Sequence, residues 1–259
     1  MIPRTGNNGL TLPYNPLLNS GYTAGSFLRY NFGQGLSYSY NSSTWRDLSG
    51  LSNGLIYNQS SGLYYPDKEY GMYFLNNTSG YSASNLGKTL EIGQTGNIST
   101  FTVFCVWEYV ASNLTYGADI IIGAYQGSTH DWWIGQSGYS ASQPYSCSRN
   151  GVVLATLGTA PVVGRKYIAC FGNNTTLGFT YFQLWDSAGN WYSTGNTTPA
   201  VALNTAGKIG IGKYGGWNDN YLPRIYVGEA WYASYIAYND TWTLYNSIRK
   251  KYSGTWYNF

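Results

Sequence analysis

The chain has 259 residues, 43% of them hydrophobic and only 10% charged, with 28 Tyr, 10 Trp and 33 Gly. Aromatic and glycine excess with so few charges excludes a coiled coil, a helical bundle and charge-driven disorder, and leaves an all-β chain long enough to bury a sizeable core. The formal net charge of +3 comes from 14 basic and 11 acidic residues spread along the sequence, too weak and too dispersed to point to a nucleic-acid partner.

In chain order, residues 1–25 carry turn chemistry without periodicity (Asn7-Asn8-Gly9, Pro13, Asn15-Pro16, Asn19-Ser20-Gly21) and read as an extended N-terminal arm. Residues 26–259 read as one domain, with no internal repeat or linker-like shift in composition. Short runs of Phe, Tyr, Val, Ile and Trp alternate there with Gly/Asn/Ser clusters, the pattern of a sandwich or barrel of many short strands. Strands are expected at 27–32, 71–75, 100–110, 118–124, 132–135, 151–157, 166–171, 178–185, 208–211 and 225–235. Within Thr100–Val110, Phe101, Val103, Cys105, Trp107 and Tyr109 share one face. Thr102, Phe104, Val106, Glu108 and Val110 share the other. Both faces are mostly apolar, so this strand should be central. The segment Phe179–Trp185 should be central too, or border a groove.

One helix is expected, at Thr241–Tyr252. Asn239-Asp240-Thr241 offers capping oxygens, Trp242, Tyr245, Ile248 and Tyr252 form an apolar stripe, and Arg249, Lys250 and Lys251 suit the last turns. No stretch approaches ~20 apolar residues, so no membrane span is expected. Met1–Gly6 lacks the charged start and apolar run of a secretory signal. The three cysteines, Cys105, Cys147 and Cys170, allow at most one internal disulfide and read as buried free thiols.

Three pieces of sequence converge on one family. Trp45-Arg46-Asp47-Leu48-Ser49-Gly50 with Asn53-Gly54, then Gly71-Met72-Tyr73-Phe74, resemble the opening of concanavalin A-like (laminin G-like) jelly-roll domains, with Leu75-Asn76-Asn77 where that family usually writes Asp-Gly. Arg224–Glu229 through Ala237-Tyr238-Asn239 and the final helix resemble its closing strand and short terminal helix. The resemblance implies a two-sheet antiparallel jelly-roll sandwich with one short C-terminal helix. Such domains are common on phage tail fibres and viral capsids. The expected function is therefore a non-enzymatic virion surface component: a capsid decoration protein, minor capsid protein or fibre component on the outside of the particle. Its partners would be other virion proteins or further copies of itself in an assembly. The alternative is a carbohydrate-binding lectin or receptor-binding module that attaches to host-surface glycans.

Catalysis is not expected. Enzymatic relatives of this fold place alternating acids on one strand, because retaining glycoside hydrolysis needs two carboxylates about 5–5.5 Å apart. The nearest run here, Asp67-Lys68-Glu69, has two acids beside Pro66. The single histidine, His130, has no Gly-x-Ser-x-Gly nucleophile elbow to serve. Sugar binding, by contrast, needs an aromatic wall with a few polar groups. Two clusters have that composition: Tyr214 with Trp217-Asn218-Asp219-Asn220-Tyr221, and His130-Asp131-Trp132. In the second, the competing reading is that Trp132 and Trp133 straddle a strand, one in the core and one against a neighbouring subunit. No cofactor is expected; calcium held by Asp219 or Asp119 is the minor alternative that the family resemblance implies. Sequons at Asn41, Asn58, Asn97, Asn113, Asn196 and Asn239 would carry glycans in a host that glycosylates the protein.

Overall fold

A computed structural model describes residues 26–31, 44–45, 54–57, 64–67, 71–74, 89–93, 100–111, 119–126, 129–136, 143–149, 152–195, 198–200, 208–212, 214–215, 224–233 and 235–252. The strands are β1 (Ser26–Asn31), β2 (Thr44–Trp45), β3 (Gly54–Tyr57), β4 (Tyr64–Asp67), β5 (Gly71–Phe74), β6 (Thr89–Gly93), β7 (Thr100–Ala111), β8 (Asp119–Gln126) and β9 (Thr129–Gln136). They continue as β10 (Tyr145–Arg149), β11 (Val152–Leu157), β12 (Lys166–Asn174), β13 (Phe179–Asp186), β14 (Trp191–Ser193), β15 (Thr198–Pro199), β16 (Lys208–Ile211), β17 (Tyr214–Gly215) and β18 (Arg224–Ala233). A 3-10 turn, Tyr238–Asp240, leads into the helix α1 (Thr241–Tyr252).

Two sheets result. Sheet I runs β14-β13-β12-β7-β18-β5-β4, with β1 on β18 and β15 on β13. Sheet II runs β11-β10-β9-β8-β16-β6-β3-β2, with β17 on β8. Every pairing among the described strands is antiparallel except β17 with β8. In sheet I, β18 offers one edge to β7 over its length and shares the other between β5 and β1. A register shift between Val227 and Glu229 accommodates this, with Gly228 as the extra residue.

The alternation along β7 explains the layering. Phe101, Val103, Cys105, Trp107 and Tyr109 point into the core between the sheets, beside Tyr167, Ala169 and Phe171 of β12 and Trp132, Ile134 and Tyr145 of sheet II. Phe104 and Val106 face outward, yet are buried too. With Ile168, Cys170, Tyr181 and Trp185 they form a second core beneath Ile236, Leu244, Tyr245 and Ile248. Thus β7 is central, as expected, and β13 is apolar on both faces because α1 covers its outer side. The molecule is an antiparallel β-sandwich with one short C-terminal helix, as the fold reading anticipated.

Polar ties fix the helix. The Tyr181 hydroxyl donates to the Ile236 carbonyl (2.6 Å), and the Ile236 N–H donates to Thr102 Oγ1 (2.8 Å). The Thr241 hydroxyl donates to Gln183 Oε1 (2.8 Å), and its oxygen lies 2.6 Å from the Tyr238 carbonyl, an alternative acceptor. Gln183 and Thr241 are both buried, and pairing them removes the cost of two orphaned polar groups. The helix begins at Thr241 as the sequence suggests, but the stripe needs correction. Thr241, Leu244, Tyr245 and Ile248, at i, i+3, i+4 and i+7, are buried, while Trp242 stays 39% exposed. The hydroxyl of Thr241 reaches across to β13 and back to Tyr238.

All three cysteines are buried thiols outside any disulfide. The core also holds a linked aromatic trio. Trp107 Nε1–H donates to the Tyr145 hydroxyl at 2.9 Å. The two rings meet edge to face at 5.0 Å, and Tyr167 lies against both.

Candidate binding surface at the helix and the edge of sheet I

The β13–β14 hairpin is set by Asp186. Its nearly buried carboxylate accepts the N–H groups of Ala188 (3.0 Å) and Asn190 (3.0 Å) and the Asn190 side-chain amide, and pairs with Arg165 at 3.2 Å. Gly189 supplies the positive φ of +87° that the reversal requires. The turn delivers Trp191 onto β14, directly opposite Trp185 on β13. Alternation puts both on the outer face of the sheet. A second tie, between Ser193 Oγ and the Tyr238 hydroxyl (2.8 Å), anchors β14 to the segment entering α1.

From that segment the first turn of α1 projects Trp242 against this pair. Its ring centroid lies 5.1 Å from Trp191 at a 58° tilt and 6.0 Å from Trp185, nearly perpendicular to it. Tyr245 stacks on Trp185 at 4.9 Å and 11° and meets Trp242 edge to face at 5.5 Å. Burial separates these four rings into two kinds. Trp185 (1% exposed) and Tyr245 (6%) form a floor, whereas Trp191 (43%) and Trp242 (39%) present their rings to solvent. The Arg249 guanidinium sits 5.7 Å from the Tyr245 ring centroid, a cation–π contact. Burial raises the Tyr245 hydroxyl above its usual range, with Arg249 pulling the other way. Exposed polar residues lie close in sequence to the two tryptophans: Asn190 before Trp191, and Asn239, Asp240, Thr243 and Asn246 around Trp242. The arrangement offers two adjoining aromatic surfaces on a frame held by packing and hydrogen bonds. It can stack on an apolar ligand face with little rearrangement.

The residues anticipated from sequence are different ones. Trp132 is fully enclosed between the sheets, 5.9 Å from Phe101 and 6.4 Å from Phe171, so it forms core and no sugar wall. Its neighbour Trp133 is buried as well, at 5% exposure. His130 and Asp131 lie on β9, Tyr214 on β17 and Asp119 at the start of β8; only their backbone is described. Trp217, Asn218, Asp219, Asn220 and Tyr221 lie outside the described residues, as do the arm 1–25 and the sequons Asn41, Asn58, Asn97, Asn113 and Asn196. Asn239 is exposed in the 3-10 turn. Among the described residues, no three His, Cys, Asp or Glu side chains gather in a metal-binding group, and no helix is long and apolar enough to cross a membrane.

Neither Trp191 nor Trp242 is among the sugar-binding candidates read from sequence. Trp242 belongs to the apolar stripe of the expected helix, and Trp191 belongs to a three-residue strand too short for periodicity to detect. The visible signal was Asp186-Ser187-Ala188-Gly189-Asn190, a turn sequence that exposes whatever follows it.

Comparison with protein-family models gave no match, and comparison with curated proteins gave none. Solved structures do match in fold. Trypanosoma rangeli sialidase in complex with sialic acid aligns with a TM-score of 0.59 at 12% identity, over 88% of this chain and 33% of that one. The botulinum neurotoxin serotype D binding domain aligns with a TM-score of 0.53 at 11% identity, over 88% of this chain and 52% of that one. The chain therefore spans about a third of the sialidase and about half of the neurotoxin chain. At such identities the likeness is one of fold alone: a β-sandwich consistent with the expected jelly roll.

Proposed function

We propose that this protein is a carbohydrate-binding β-sandwich module whose sugar platform is the Trp191–Trp242 pair. The observation that carries the reading is the exposure of two touching tryptophans on a frame already rigid before any ligand arrives. Large aromatic surface left in water in one place marks a contact site, and preorganisation lowers the entropic cost of binding. The fold likeness adds support, because one similar structure is a sialidase in complex with sialic acid and another is a toxin's binding domain. The virion-surface reading rests on the motif resemblance and composition, and the sugar-binding alternative has the better support. The module binds without cleaving.

The test is a glycan array followed by titration of the strongest hits, with tryptophan fluorescence as the signal. Trp191→Ala and Trp242→Ala should each weaken binding at least about tenfold, the loss expected of an aromatic anchor, while circular dichroism stays that of the parent. Intact oligosaccharide should be recovered after prolonged incubation. An array without hits, or unchanged affinity in the double variant, would overturn the reading; cleaved product would overturn its non-enzymatic part.

A further inference from the structure

We infer that this site takes an extended, linear oligosaccharide rather than a single terminal sugar, with Phe179 as a second stacking position at the far end of β13. The inference rests on the carbohydrate reading above and adds the length and course of the ligand. Phe179, Tyr181, Gln183 and Trp185 alternate onto the outer face of sheet I. Tyr181, Gln183 and Trp185 are buried beneath the segment Ile236–Thr241 and α1, whereas Phe179 is 41% exposed. The outer face of β13 thus carries exposed rings at both ends: the Trp191–Trp242 pair against Trp185, and Phe179. Six residues of strand separate Trp185 from Phe179, about 20 Å. A disaccharide cannot bridge that span; a chain of several sugars can.

The stretch between the two ends is aromatic and polar as well. Tyr238, half-buried, sets its ring edge to face against Tyr181 at 5.7 Å, and its hydroxyl lies 2.8 Å from Ser193 Oγ. Ser193 stands opposite Gln183 in the register of β13 and β14, so Tyr238 lies between the tryptophan pair and Phe179. The two hydroxyls can each donate and accept, which suits the hydroxyls of a sugar chain. The Phe179 end is also fixed in advance. Strand pairing holds Phe179 between Asn174 of β12 and Pro199 of β15. Asn174 Oδ1 accepts the Leu177 N–H at 2.9 Å within the β12–β13 turn, and Gly178 takes the φ of +74° that closes it. A lone exposed phenylalanine carries no meaning by itself. Here it shares a strand and a face with the tryptophan platform, on a frame that needs little ordering when a ligand arrives.

The test uses linear cello-, chito- and malto-oligosaccharides from disaccharide to hexasaccharide, together with any linear series the glycan array selects. In a series that binds, affinity should step up about tenfold once the chain is long enough to reach Phe179, the increment of one further aromatic anchor. Phe179→Ala should erase that step and leave disaccharide affinity unchanged, and Phe179→Tyr should keep it. Trp242→Ala should weaken every length alike. Affinity that is flat from disaccharide to hexasaccharide, or a step that survives Phe179→Ala, would overturn the inference and leave the carbohydrate reading standing. Binding confined to terminal sugars of branched glycans would do the same. If Phe179 serves only the hairpin, Phe179→Ala will lower the unfolding temperature and weaken short and long chains equally, which also overturns it. Failure of every glycan on the array and in the series would remove both readings together.

Discussion

Gly172→Ala is the sharpest probe of how the helix is seated. Gly172 on β12 faces Tyr181 on β13 across the sheet. The Tyr181 ring lies flat over the glycine, so an added Cβ would fall 2.3 Å from both Cε1 and Cζ and 2.7 Å from the hydroxyl oxygen. The backbone of Gly172 is not in the left-handed region, and alanine could adopt it. On conformational entropy alone the change would stabilise by about 0.4–1 kcal/mol. The contact decides otherwise. Tyr181 is fully buried and its hydroxyl is tied to the Ile236 carbonyl at 2.6 Å, so the ring cannot step aside as a free side-chain end would. Forcing it to move adds overpacking strain of about 1–3 kcal/mol. It also strands a buried carbonyl at about 1–3 kcal/mol. The net loss is about 3 kcal/mol, or roughly 6–12 °C in melting temperature for a domain of this size. Urea unfolding monitored by tryptophan fluorescence would measure it, with the same change repeated in a Tyr181→Ala background. There the methyl group has room, and Gly172→Ala should be neutral or slightly stabilising. A loss below about 0.5 kcal/mol in the parent, or the same loss in both backgrounds, would refute the reasoning.

Two further outcomes follow from the cores. Tyr145→Phe keeps the ring contact with Trp107 but removes the hydroxyl that accepts the buried Trp107 indole N–H at 2.9 Å; it should cost about 1–3 kcal/mol in chemical unfolding, and a variant as stable as the parent would contradict this. Burial pushes the Cys170 thiol from 9.0 up to about 12, against a smaller opposing effect of its contact with the Tyr181 hydroxyl. Because the folded state holds this proton more tightly, its contribution to stability is complete below about pH 9 and is lost as pH rises toward 12. Tyr167, Tyr181 and Tyr245, all raised chiefly by burial, act in the same direction above pH 10. Denaturation midpoints should therefore be level near neutrality and decline from about pH 9. All three thiols should resist a disulfide reagent at pH 8 until denaturant is added; rapid labelling of the native protein would show that the burial is misjudged.

Much of the architecture was legible because strand alternation is a local property. The two-residue period in Thr100–Val110 placed Trp107 and Phe104 on opposite faces, and the apolar character of both faces identified a central strand without reference to any neighbour. The helix ends were legible from capping and turn residues. Strands of two or three residues, such as Thr44–Trp45, Trp191–Ser193 and Tyr214–Gly215, were not, since so few positions hold no period and exist only through their ladder partners.

The candidate site lay beyond the reach of such reasoning. Trp132 and Trp242 look alike in sequence, each an aromatic beside polar residues, and local pattern cannot say which face another layer will cover. Docking of sheet II over β7 and β12 enclosed Trp132; docking of α1 through Leu244, Tyr245 and Ile248 left Trp242 at the margin, against a tryptophan 51 positions earlier in the chain. Composition and alternation thus determined an aromatic, charge-poor β-sandwich with a terminal helix. Which aromatic rings became core and which became surface was decided only by how the layers packed, because exposure depends on distant chain segments that no local spacing encodes.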